Sequence, residues 1–182
     1  VRIFNEKEVD ELIVLDIDAT VRGEEPNYDL IQSLASECRM PLCYGGGIST
    51  VEQVRRIISL GVEKVAISAE AVNRPGFITE VASQIGSQSV VVVLDVKKKG
   101  LLGRYSVFTH NGKKAASQDF SKLVTRLGDL GAGEILVNSI DLDGEMTGYD
   151  MALIEKVRSL TTLPLTVLGG ASSLEDIARV IS

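Results

Sequence analysis

Histidine is almost missing from this 182-residue chain: His110 is the only one, and tryptophan is absent. A Ser-His-Asp triad or a histidine-based metal centre therefore has almost nothing to be built from. Neither a metal nor an organic cofactor is expected. Cysteine is scarce too. Cys38 and Cys43 lack redox or zinc spacing, so two free thiols in a reducing cytoplasm are expected. There is no excess of positive charge: 19 Lys and Arg face 25 Asp and Glu, a net charge of -6. That removes the basic footprint nucleic-acid binding needs. No apolar run approaches the roughly 20 residues of a membrane span. The charged opening VRIFNEKEVDE reads as a helix end, not as a signal peptide. The expected location is the cytoplasm.

Apolar residues make up 45% of the chain, enough for one sizeable core and a single domain over 1–182. They fall in short runs: Glu11–Ile17, Pro41–Tyr44, Lys64–Ser68, Ser89–Asp95, Glu134–Ser139 and Leu163–Leu168. Each is rich in Val, Ile and Leu without polar alternation, the pattern of strands buried on both faces. Amphipathic segments lie between them. TVEQVRRIISLG puts Val51, Val54, Ile57 and Ile58 on one face and ends at Gly61, a candidate C-cap. Ser49 with Glu52 predicts a capping box at its start, and Ser172 with Glu175 repeats the device. Alternating strands and helices with short links predict a parallel sheet with right-handed crossovers. The irregular stretch is 96–117, where RYSVFTHNGKK predicts a small hairpin turning at Asn111-Gly112.

The chain also repeats itself. Glu11 and Glu134 are 123 positions apart (134 − 11). The same offset pairs Asp18 with Asp141, Pro41-Leu42 with Pro164-Leu165, Gly46-Gly47 with Gly169-Gly170, and Arg56 with Arg179, without a gap from Glu11 to Ser59. One βα unit takes about 30 residues, so the offset holds about four. Two such halves make a (β/α)8 barrel. The fold predicted is therefore α/β, of the (β/α)8 TIM-barrel family with a two-fold half-barrel repeat. About six of eight βα units are covered, barrel strands two to seven. The absent neighbours, one and eight, would leave two open sheet edges. Either the chain is a fragment or a partner fills the gap, and a homo-oligomer completing the barrel is one expectation.

In such barrels the chemistry sits at the C-terminal strand ends. Gly45-Gly46-Gly47 ends one strand before a capped helix, and Gly169-Gly170 ends another in the same setting. Backbone N–H groups freed by glycine, with a helix dipole behind them, suit a phosphate. The bland alternative is tight βα turns. The matched pair favours a substrate phosphorylated at both ends. Asp95 follows five apolar residues in VVVVLDV, a placement at the barrel mouth that suits a general acid or base. Asp18 and Asp141 read as ties for equivalent loops. Asp143-Gly144 stands at a tight turn where it can orient a ligand, and Lys97, Lys98 and Lys99 flank the mouth. His110 reads as a hairpin residue. At the opposite end Glu11, Lys64 and Glu134 open alternate strands, so they are expected to point inward together as a charged ring around the axis.

DELIVLDIDAT, PLCYGGGIST, GVEKVAIS, GSQSVVVVLDVK, GAGEILVNSIDLDGEMTGYD and LTTLPLTVLGGASSLED resemble, in order and nearly without gaps from about Asp10 onward, the cyclase subunit of imidazole glycerol phosphate synthase. The resemblance implies a (β/α)8 barrel that takes ammonia from a glutaminase partner through the barrel axis. It joins the ammonia to a bis-phosphorylated aminoimidazole ribulose, giving imidazole glycerol phosphate and an aminoimidazole nucleotide. It implies Asp95 as catalytic aspartate, with Gly47 and Ser68 at one phosphate site and Asp143, Gly144 and Gly170 at the other. Glu11, Lys64 and Glu134 then match members of an ammonia gate. The family's other catalytic aspartate, its following lysine and the gate arginine would precede Val1, and further phosphate contacts would follow Ser182. The chain as given is thus expected to be poorly active alone. Ser68-Ala69 stands where the family usually has Asn-Thr, Asn138 where it has Thr, and Leu168 where it has Ser. These departures resemble paralogues of surface-polysaccharide gene clusters, which deliver ammonia to a sugar amidino group. A catalytically silent, self-assembling barrel fragment is the remaining alternative.

Overall fold

The computed structural model describes residues 1–100 and 104–181. Its centre is a curved parallel sheet of β1 (Leu12–Leu15), β2 (Leu42–Gly45), β3 (Lys64–Ile67), β4 (Val90–Lys99), β7 (Glu134–Ser139) and β8 (Leu165–Leu168), paired in that order. Helices follow the strands: α2 (Ala19–Arg22) and α3 (Tyr28–Glu37) after β1, α4 (Val51–Ser59) after β2, and α5 (Ala69–Asn73) with α6 (Gly76–Ile85) after β3. Then come α7 (Phe120–Leu130) before β7, α8 (Met151–Arg158) after it, and α9 (Leu174–Ile181) after β8; a short α1 (Arg2–Glu6) opens the chain. This is the α/β architecture of the barrel family. Among the described residues β1 pairs only with β2 and β8 only with β7. These outer strands are half-buried, whereas every residue of β2 and β7 is buried.

Two apolar layers hold the sheet. The larger lies between strands and helices, around Tyr44, Ile57, Phe77, Val92, Leu127 and Ile135. The smaller lines the concave face with Cys43, Ala66, Val91, Val93 and Leu136, backed by Ile13 and Leu15. A strand buried on both faces needs apolar residues at every position, which is why VVVVL appears unbroken before Asp95.

The repeat is visible in the backbone. β2 and β8 occupy equivalent spans, and Pro41 and Pro164 each accept the first ladder bond of a neighbouring strand, from Leu12 N at 3.0 Å and Ile135 N at 2.9 Å. Proline cannot donate to a ladder, so β2 starts after Pro41 and β8 after Pro164, later than the apolar runs suggest. β4 runs on past Asp95 to Lys99 because β5 (Arg104–Thr109) pairs with it antiparallel, and β6 (Lys114–Ala115) completes the hairpin. The turn is wider than an Asn-Gly turn: His110, Asn111 and Gly112 take φ of 55°, 55° and 71° in succession. Both capping boxes sit one residue later than expected. In α4 Thr50 accepts from Gln53 N at 3.2 Å while Gln53 Oε1 accepts from Thr50 N at 3.1 Å; in α9 Ser173 and Asp176 exchange bonds at 3.1 Å. Ser49 and Ser172 donate their backbone N–H to the same Gln53 and Asp176 side chains. At the other end of α4 the cap is Leu60, and Gly61 follows with φ 98°.

Candidate active site at the strand ends

The C-terminal ends of the strands surround a cavity of about 630 Å³ whose lining includes Asp95, Gly46, Gly47, Ser68, Asp143 and Asn138. Gly46 is there for a steric reason. Its φ is 121°, and a Cβ would stand 2.4 Å from the Asp16 carbonyl oxygen. Gly47, at φ 69°, is packed the same way against Glu24 O, at 2.6 Å from a would-be Cβ. The chain can therefore turn directly from β2 toward the N-terminus of α4, leaving backbone N–H groups at the cavity wall. The same wall carries Asp16, Glu24, Glu25 and Glu70 against one lysine, Lys114. An anion bound here must be held mainly by backbone donors and the helix dipole.

Asp95 is placed by register: it lies opposite Asn138 of β7 on one side and Phe108 of β5 on the other. Its Oδ1 accepts from Asn138 Nδ2 at 3.0 Å. Burial pushes its pKa above the ordinary aspartate value; bonds from Asn138 and Ser68 pull it back, and the negative charge of Asp143 adds to the rise. An acid moved toward neutrality can both take and return a proton.

The repeat-related glycines differ. Gly169 and Gly170 have φ of 94° and 98°, and a Cβ would stand 2.6 Å from Ser139 O and 2.2 Å from Gly148 O respectively. Gly170 O also accepts from Gly148 N at 2.8 Å. Neither glycine is in the lining of the large cavity, nor is Gly144, which has φ 80° and open space around it. A smaller hollow of about 130 Å³ lies nearby, against Thr147, Gly148, Tyr149 and Asp176.

At the opposite end of the strands Lys64 Nζ sits between Glu11 Oε2 at 2.7 Å and Glu134 Oε2 at 3.0 Å, and Thr166 donates to Glu134 Oε1 at 2.6 Å. Burial works against the charge of Lys64, but the two carboxylates outweigh it and hold its pKa above the ordinary lysine value. Cys43 is packed directly above; burial, then the negative charge of Glu11 and Glu134, push its thiol strongly up, so it stays neutral. Cys38 is also free.

Three participants were not apparent in the sequence. Asn138 partners Asp95, Thr166 partners Glu134, and Asp150 gathers Tyr105 OH at 3.0 Å, Lys98 Nζ at 3.0 Å and Leu153 N at 3.1 Å. Burial tends to raise the Asp150 pKa, but these partners hold it below the ordinary value. Such pairs form across strands and loops, and only the register reveals them. Of the other acids, Asp18 accepts from Asn111 Nδ2 at 3.1 Å and from Arg22 at 3.0 Å, and Asp141 meets Lys97 at 4.0 Å. Both tie loops to the hairpin side of the mouth. His110 lines the cavity, with Nδ1 3.0 Å from Thr109 Oγ1. Among the described residues no helix is long and apolar enough to cross a membrane.

The chain is 55% identical over 181 residues to a putative imidazole glycerol phosphate synthase subunit HisF of Leptospira borgpetersenii, spanning all of this chain and 71% of that one. It is 53% identical to a putative subunit hisF3 of Vibrio vulnificus, spanning 100% and 70%. It is 41% identical to the imidazole glycerol phosphate synthase subunit HisF of Dictyoglomus turgidum, spanning 99% and 71%. The family model described as histidine biosynthesis protein matches residues 1–182. With a partly buried acid and a glycine-lined wall at one end of its strands and a charged cluster at the other, the chain belongs to the histidine biosynthesis protein family, among HisF-type subunits of imidazole glycerol phosphate synthase.

Proposed function

We infer that this protein is an ammonia-dependent cyclase of the imidazole glycerol phosphate synthase type, working with a glutaminase subunit on a bis-phosphorylated substrate. The observation that carries the reading is that one set of strands has Asp95 and the Gly46-Gly47 wall at its C-terminal end and the Glu11–Lys64–Glu134 cluster at its N-terminal end. Asp95 serves as the acid–base group, receiving a proton as a C–N bond forms and returning one to the departing fragment. Gly46, Gly47 and Ser68 hold one phosphate. Asp143, Gly144, Gly169 and Gly170 order the loops around the second. Glu11, Lys64 and Glu134 screen the passage by which ammonia enters. The test is turnover of the bis-phosphorylated aminoimidazole ribulose with an ammonium salt, and with glutamine plus the glutaminase. In a version extended to the full length of its relatives, of which this chain spans 71%, turnover lost at least a thousandfold in Asp95→Asn supports the reading; that extended protein inert under both conditions overturns it.

A second reading, ammonia delivery to an amidino sugar, is favoured by one observation: Ser68, Asn138 and Leu168 all line the same cavity. Rescue of a histidine auxotroph by this protein decides against it.

A further inference from the structure

Asn138 raises a question that the acid–base role of Asp95 does not answer. The residue is only 8% exposed and donates through Nδ2 to Asp95 Oδ1 at 3.0 Å, yet its own Oδ1 is buried without a hydrogen-bond partner. Leaving a buried carbonyl without a partner forfeits the hydrogen bond it had to water, with nothing in return. A leucine of similar size would avoid that cost, as Leu168, its neighbour in register on β8, does. The orphan atom lies against Gly169, beside the carbonyl of Ser139.

The amide has two ends of opposite character, and Asp95 has two protonation states. An ionised carboxylate only accepts, so Nδ2 must face it. A protonated carboxyl donates, and a half-turn of the amide about χ2 then brings Oδ1 to receive that proton's bond. The same half-turn sends Nδ2 to the side where the Ser139 carbonyl stands. We propose that Asn138 is a positioning residue that follows the proton on Asp95, donating to the carboxylate and accepting from the acid, so that the carboxyl keeps one orientation through both halves of a proton transfer. The unpartnered oxygen is the cost of keeping the second state available. This rests on the acid–base role assigned to Asp95 above.

The other titratable groups that line the same cavity are Asp143 on the β7–α8 loop, Asp16 after β1, Glu24 and Glu25 before α3, Glu70 on α5, and His110 and Lys114 on the hairpin. They bias the Asp95 equilibrium, but Asn138 is the residue opposite it in register. The test is direct and needs no turnover: carboxyl ¹³C and side-chain amide ¹⁵N NMR of the protein across the acidic range, with Asp95→Asn identifying the Asp95 signal. The Asn138 amide resonances are expected to shift with the same midpoint as the Asp95 carboxyl. That midpoint is expected to rise in Asn138→Leu, to rise further in Asn138→Asp, and to return toward wild type in Asn138→Thr, whose hydroxyl both donates and accepts. In turnover assays Asn138→Leu is expected to lower kcat about tenfold with KM little changed. Amide signals indifferent to pH, or an Asp95 midpoint unmoved in a folded Asn138→Leu protein, overturn the proposal while leaving the cyclase reading intact. Absence of turnover in the version extended to the length of its relatives, with the coupled titration present, sinks the cyclase reading instead.

Discussion

The segment from β1 to α4 and the segment from β7 to α9 share a backbone plan and part company in chemistry. Both place a proline before the second strand, two left-handed glycines after it, and a capping box at the start of the following helix. Yet Leu15 stands where the other half has Asn138, Asp16 where it has Ser139, and Cys43 where it has Thr166. The glycine pair of the first half faces a large cavity; in the second, Gly169 packs against Ser139 and Gly170 against Gly148. The prolines and glycines common to both halves are those the backbone requires, and the shared Glu11 and Glu134 both meet Lys64. Residues that differ supply the partners of Asp95 and Glu134.

The largest effects should come from the shared glycines. Gly46→Ala and Gly169→Ala each force a side chain into φ above 90° and against a backbone oxygen nearer than 3 Å. Each is expected to lower unfolding free energy by about 3 kcal/mol or more in urea titration. Gly144→Ala, with φ 80° and open space, should lose only about 1 kcal/mol. Equal losses at all three positions would show that the close approach has no energetic meaning.

Next comes the charged layer. Lys64→Met leaves two carboxylates facing each other and should cost about 2 kcal/mol, the partial exposure of all three groups keeping it below a fully buried pair. The pKa of Lys64 is raised on folding. Its contribution is therefore complete below the ordinary lysine value of about 10.4 and lost as pH rises through the folded value. The difference between wild type and Lys64→Met should be flat from neutral pH to about pH 10 and shrink above. The repeat mates should also differ. Glu134 uses both oxygens, on Lys64 and Thr166, whereas Glu11 Oε1 has no partner. Glu134→Gln is expected to cost more than Glu11→Gln.

Asp95 should act in the opposite direction. Its pKa is raised by burial, so the folded state holds its proton to higher pH than the unfolded chain does. Stability falls as pH rises from the ordinary aspartate value through the folded one and stays lower beyond it. Asp95→Asn is thus expected to raise stability by about 1 kcal/mol at neutral pH and not at pH 3. A melting temperature that falls at neutral pH would contradict this account of the site.

The smallest effect separates the two caps. Gln53 holds the start of α4 with an amide that does not titrate, so Gln53→Ala should cost about 1 kcal/mol at any pH. Asp176 does the same for α9 with a carboxylate whose pKa is lowered, first by Ser172. That cap is present above the ordinary carboxylate value and lost as pH falls through the folded one. Amide exchange in the first turn of α9 should accelerate in acid, while that of α4 should not.

Much of this was readable in the linear chain, for identifiable reasons. Strands buried on both faces announce themselves as unbroken Val and Ile, and a gene-scale repeat preserves its prolines and glycines. The boundaries were less legible. The extension of β4 to Lys99 depends on pairing with β5, and both capping boxes shifted because Gln53 and Asp176, rather than the glutamates before them, turn back onto the chain. The Asn138 partner of Asp95, the Thr166 partner of Glu134 and the Tyr105 and Lys98 partners of Asp150 were invisible, since each comes from another strand and only register brings it close.

Asp150 has a mechanical consequence. One carboxylate starts α8, anchors the hairpin through Tyr105, and receives Lys98 from the end of β4. Three elements meet at a single pin. A pull on the hairpin tip, where Asn111 reaches across to Asp18, is carried through β5 to the first turn of α8. The rim of the mouth on that side is therefore one linked frame rather than a set of separate loops.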